Sequence, residues 1–151
     1  MISDDREFRQ QLKNLDDKPQ RVVAGLLVEN VLELNGDDRV KRAVKVAKDE
    51  DTADDVLRQV FNEVKKATIE SRARCDINCD WNEQAAHFVS KAASAAIAPE
   101  DLCKAQDRMW QVVVSCRMAR SFALIALDDD SPNPEPIAQY RIFTKFVESK
   151  K

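Results

Sequence analysis

The chain has 151 residues, a formal net charge of −3 and a pI near 5.3. It is long enough to bury a core without metal or disulfide staples and too acidic overall for a generally cationic nucleic-acid binder. Hydrophobic residues at 44% and charged residues at 34% exclude a disordered chain, and two glycines are too few for the turns of a sheet protein.

Amphipathic helices follow one another along the chain. The first opens at Ser3 or Asp4, with Asp4 and Glu7 at capping-box spacing, and sets Phe8, Leu12 and Leu15 on one face. Pro19 suits the first turn of a second helix, whose stripe is Val22, Val23, Leu26, Leu27, Asn30, Val31 and Leu34, with Gly36 as its stop. Asp37 or Asp38 caps a third, which turns Val40, Ala43, Val44 and Ala47 inward. Thr52 with Asp55 opens a fourth, acidic at its start and basic at its end as the helix dipole favours, with Val56, Leu57, Val60, Phe61, Val64, Ala67 and Thr68 as its stripe.

Asp80 and Glu83 again have capping-box spacing, so a fifth helix is predicted from Trp81 to about Ala98, rich in alanines that permit close approach. Pro99, Glu100 and Asp101 start a sixth. Its period runs through Leu102, Ala105, Met109, Val112, Val113, Cys116, Ala119, Phe122, Ala123 and Ala126 to Leu127, a strut of roughly 40 Å at 1.5 Å per residue. The proline-rich connector of about 128–136 breaks it, and Pro136 begins a last helix with Ile137, Tyr140, Phe143 and Val147. The fold expected is therefore all-α: one domain over 1–151, an antiparallel array or bundle of six to seven helices with one long central helix.

The N-terminus "MISDDREFRQQ" is charged within four residues, so it does not read as a secretory signal. No stretch approaches the roughly 18 apolar residues of a membrane span. These readings predict a cytoplasmic protein with reduced thiols.

The stretch "RARCDINCDWNEQAAHF" (72–88) holds Cys75, Cys79 and the only histidine, His87; Cys103 or Cys116 would complete a tetrahedral zinc set. The spacing C-x3-C lacks the second close pair of a structural zinc site, so buried packing is the leading expectation, with thiol sensing as a further alternative. A single histidine excludes a di-iron bundle, and nothing near the cysteines has the form of a nucleophile elbow. "DDDSPNPEPIAQ" lacks the glycine and the final glutamate of a calcium loop. No Gly-rich phosphate loop exists. Neither catalysis nor a cofactor is expected.

Basic residues Arg39, Lys41, Arg42, Lys45 and Lys48, with Lys65, Lys66, Arg72 and Arg74, are interleaved with an apolar stripe, the pattern of a solvated outer face. A nucleic-acid accessory role is the weaker alternative. Trp81 and Trp110 read as core or helix-junction anchors.

Residues "ENVLELNGDDRVKRAVKVAKDEDTADDVLRQVFNEVKKATIESRA" resemble the central part of a family of helical immunity proteins from bacterial polymorphic-toxin systems. The resemblance covers about residues 28 to 97. Gly36, Asp37, Asp38 and Arg39 occupy the place where one helix ends and a basic one follows, and the small-residue helix around Ala85 to Ala96 matches an alanine-rich helix. It implies a small cytosolic protein that binds a toxin domain and blocks it. Function then lies in partner binding, with contacts expected at Asp37, Asp38 and Arg39 and at Asp128, Asp129 and Asp130, because loops carry contacts more often than cores.

Overall fold

The computed structural model describes residues 2–78, 80–102 and 107–151. The described residues are helical throughout the bundle and contain no strand. The helices are α1 (Asp5–Lys13), α2 (Asp17–Glu29), α3 (Asp38–Lys48), α4 (Asp54–Asn78), α5 (Trp81–Ile97), α6 (Arg108–Ala126) and α7 (Glu135–Ser149), with 3-10 turns at Leu32–Leu34 and Glu100–Leu102.

Local chemistry sets several of the starts. Asp4 accepts from Glu7 N at 2.9 Å, Asp37 from Arg39 N at 2.9 Å, Asp80 from Asn82 N at 2.8 Å and Asp107 from Trp110 N at 3.1 Å. Each satisfies an amide that the first helical turn leaves open. Phe8, Val23, Val40, Val60, Val89, Val112 and Phe143, one from each helix, belong to a single buried cluster. Phe8 is its aromatic centre, edge-to-face with Trp110, Tyr140 and Phe143 at centroid distances of 6.3, 5.2 and 5.8 Å.

Three boundaries depart from the expectation. α2 ends at Glu29, not at Gly36: Arg120 reaches the carbonyl of Asn30 at 3.0 Å, and a 3-10 turn follows. Gly36 has no positive φ and so supplies no left-handed stop. α4 begins at Asp54, and the Thr52 hydroxyl donates to Val46 O at 3.0 Å. α6 spans 19 residues from Arg108, with Pro99 leading into a 3-10 turn; the longest helix is α4, at 25 residues. Ala105 lies outside the described residues.

Gly25 lets α3 approach α2. A Cβ there would meet Lys48 Cγ at 2.9 Å, Ala47 Cβ at 3.0 Å and Lys48 N at 3.1 Å.

Polar side chains dock α7. Gln139 is fully buried; its Nε2 donates to Val113 O at 3.1 Å and its Oε1 accepts from Arg117 Nε at 2.8 Å. Arg117 also grips both oxygens of Asp5 at 2.8 Å, while the Tyr140 hydroxyl donates to Asp5 at 2.5 Å. The Arg117 guanidinium holds the Asp5 carboxyl down at about 2, against the opposing effect of burial. Glu135 accepts from Asn30 Nδ2 at 2.8 Å and Arg120 Nε at 3.2 Å. No buried side-chain nitrogen or oxygen among the described residues lacks a partner.

Candidate interaction surface

The two loops expected to carry contacts differ in how they are held. Asn35 is buried and clamps the first onto α5: Nδ2 donates to Ala86 O at 2.8 Å and Ser90 Oγ at 2.9 Å, and Oδ1 accepts from Asp37 N at 2.8 Å. Asp37 is a helix cap and pairs with Arg39 at 2.8 Å; Arg39 also pairs with Glu70 of α4 at 2.6 Å. The Arg39 guanidinium lowers the Asp37 carboxyl. Asp37 and Arg39 therefore hold α3 to α4, and Asp38 is the outward residue of the three, its side chain 98% exposed.

The second loop is an acidic helix end. Leu127 N reaches Ala123 O at 3.2 Å, Asp128 N reaches Ile125 O at 2.9 Å and Asp129 N reaches Leu124 O at 2.9 Å, which is a Schellman closure. Asp128 occupies its left-handed position with φ 55°, where glycine is favoured. Asp128, Asp129 and Asp130 are all exposed, at the end of the helix where the backbone dipole is already negative.

Beside this loop lies an apolar face that the periodicity reading turned inward or left unassigned. Trp81 of α5 stacks on Phe122 of α6 at 5.6 Å with 13° between planes, and Phe88 stacks on Phe122 at 5.4 Å with 26°. At the other end of the pair, Arg108 donates to Ala98 O at 3.0 Å, so α5 and α6 run antiparallel and Trp81 sits by the end of α6. Met118 and Ile125 flank Phe122 at helical spacing on α6, with Val114 one turn before Met118; all three are exposed. Trp81 (46%) and Leu127 (76%) are exposed too. Trp110, by contrast, is the junction anchor expected, half-buried against Phe8 with Arg117 over its ring at 5.5 Å.

α6 explains why this face was hard to read. Beyond Arg108 its charged residues are Arg117 and Arg120, and both turn into ion pairs, with Asp5 and with Glu33 and Glu135. The helix is apolar on several sides, so the period alone does not say which side faces water. The sequence signal that survives is the charge-free run from Ser121 to Leu127 ending in three aspartates.

The thiol and imidazole set is dispersed in role. Cys75 and Cys116 are buried free thiols, and burial pushes both thiols up. Cys79 and Cys103 lie outside the described residues. His87 Nδ1 shares a 2.8 Å hydrogen bond with Ser71 Oγ, and burial lowers the imidazole. Ser71 is itself buried mid-helix, bonded to Thr68 O at 2.8 Å, so it is no exposed nucleophile. Among the described residues no three His, Cys, Asp or Glu side chains group to hold a metal ion.

Five of the nine residues of the basic run are paired with acids. Arg39, Lys41, Arg42, Lys48 and Arg74 meet Glu70, Asp38, Glu63, Glu29 and Glu83. A cleft of about 770 Å³ opens at the opposite end of the bundle, between Lys18, Arg21, Arg58, Ile97, Asp101 and Arg108. Its arginines are occupied as well: Arg58 by Asp101 at 3.0 Å, Arg21 by Asp49 O at 2.7 Å and Arg108 by Ala98 O. Among the described residues no helix is long and apolar enough to cross a membrane.

No protein-family model matches the chain, and it matches no curated protein sequence and no solved structure.

Proposed function

We propose that the chain is a non-enzymatic protein-interaction module of the immunity kind, which acts by binding a protein partner. The observation that supports this is the exposed apolar face of Trp81, Met118 and Ile125, placed beside three exposed aspartates on a bundle whose buried side-chain polar groups, among the described residues, are matched. Such a face leaves apolar surface exposed to water, and its burial against a partner would be favourable by a gross transfer term of roughly 25 cal/mol per Å², before the costs of association. Asp38 and Asp128, Asp129 and Asp130 are the acidic contacts; Asp37 and Arg39 position the first loop.

Native mass spectrometry of the protein gently purified from its own host tests the reading. A retained second polypeptide is expected, lost from Asp38→Lys and from the Asp128→Lys/Asp129→Lys/Asp130→Lys variant while circular dichroism stays helical. A bare monomer, a zinc adduct, or a partner indifferent to both variants overturns it.

A further inference from the structure

The occupant of the α5–α6 face has a chemistry that the face itself specifies. From Val114 to Ile125 the exposed stripe rises through eleven steps, about 16 Å at 1.5 Å per residue, or three turns of a partner helix. Along that length α6 presents no free charge. Charge gathers at one end, and there it is acidic: Asp128, Asp129 and Asp130 follow α6, and Asp80, the exposed cap of α5, precedes Trp81. Asp76 lies in the last turn of α4. Cations nearby include Arg74, engaged by Glu83 at 3.3 Å, Lys91, which lies over Phe88 at 5.6 Å, one ring away from Trp81, and Arg72, which like Lys91 lies close enough to act on His87.

We infer that this face binds a cationic amphipathic helix, whose apolar side packs on Trp81, Met118, Phe122 and Ile125 and whose lysines or arginines reach Asp80 and Asp128–Asp130. A helix laid in a groove uses anchors at i, i+4 and i+7, the spacing that Met118, Phe122 and Ile125 offer. The acids at the helix end would set its orientation and speed the encounter, a contribution that salt screens. A second copy packed across a two-fold axis would set its uncharged Val114 end against these aspartates, and a neutral apolar segment would likewise leave them unmatched. This inference rests on the interaction reading above and adds the sign and shape of the partner.

The test uses the full chain and an 18-residue amphipathic peptide of leucine and lysine at helical spacing, with a Leu/Glu peptide of the same pattern and a scrambled Leu/Lys peptide as comparisons. Calorimetry should show the patterned Leu/Lys peptide binding, with affinity that falls as salt rises. Met118→Asp/Ile125→Asp and Asp128→Asn/Asp129→Asn/Asp130→Asn should each weaken it at least tenfold, while Asp51→Asn/Asp55→Asn at the far end leaves it unchanged. Equal binding of the scrambled or Leu/Glu peptide, or indifference to the α6 variants, overturns the inference. So does a dimer in sedimentation that Met118→Asp dissociates. If the peptide fails yet Met118→Asp strips the native partner, the cationic assignment falls and the interaction reading stands. If the peptide binds and the host yields no partner, the interaction reading falls.

Discussion

Glu135 and Arg120 form an ion pair, 3.2 Å from Oε1 to Nε, in which the carboxylate side chain is 1% exposed and the guanidinium 20%. Arg120 carries a second carboxylate, Glu33, at 2.9 Å, and the Asn30 carbonyl at 3.0 Å. One residue of α6 thus joins the end of α2, the turn that follows it and the start of α7. Removing a partner from such a pair leaves a buried charge or donor unmet, which is worse than never having had the pair. Glu135→Ala should therefore cost about 3 kcal/mol in urea unfolding, and Glu135→Gln, which keeps an acceptor for Asn30, about half as much. A loss below about 0.5 kcal/mol for the alanine variant would show that α7 docks on its apolar face alone.

His87 predicts the sign of a pH effect. Burial lowers its imidazole below the ordinary value of 6.5, so the folded protein favours the neutral ring. The unfolded chain takes up a proton near pH 6.5 and the folded one only below that. The stability so contributed is present above pH 6.5 and is lost as pH falls through that value towards the folded pKa. Urea midpoints from pH 7.5 to 5.5 should decline in the parent chain and decline less in His87→Gln. Because no other histidine exists, a parallel decline in both chains would assign it to the carboxylates.

Gly25 tests the α2–α3 seam. Alanine is favoured over glycine by about 1 kcal/mol in a helix interior. Here its methyl would press on Ala47 Cβ and the Lys48 backbone nitrogen at 3.0 and 3.1 Å, and overpacking costs about 1–3 kcal/mol. Gly25→Ala is expected to destabilise by about 1 kcal/mol in equilibrium unfolding. A gain in stability would mean that the end of α3 moves aside at no cost.

Asp128 separates folding from binding. It takes a left-handed backbone at φ 55° and sets a negative charge at the negative end of α6. Asp128→Gly removes both penalties and should stabilise the chain by about 1 kcal/mol. The same change should weaken retention of the native partner. If stability rises and partner binding holds, Asp128 is no contact.

Much of the helix pattern was open to reading because it depends on neighbours three or four residues apart. Asp4, Asp37 and Asp80 cap the helices they precede, and Val40, Ala43, Val44 and Ala47 are buried on the expected stripe. The departures share a different cause. α2 stops where Asn30 is engaged by Glu135, 105 positions away, and Thr52 is diverted to Val46. Glu135 falls in the expected connector and Gln139 off the expected apolar stripe of the last helix, yet both are buried, because their partners Arg120, Asn30, Arg117 and Val113 lie on other elements.

The candidate site was legible only in outline. Asp38 and Asp128–Asp130 were marked by being short acidic loops between helices, and both loops belong to the half of the bundle around the start of α5. Arg39 proved to be an internal strut, and the Trp81–Phe122 face was missed, since stacking between two helices has no period in either. By itself the sequence determined an all-α chain, the caps and inner stripes of most helices, and the acidic connector before α7, because those follow from backbone sterics and local hydrogen bonding. Only the tertiary structure decided which polar groups would be buried in pairs and which side of the nearly uncharged α6 would meet water. Both depend on what other helices bring within a few ångströms, and local spacing carries no record of that.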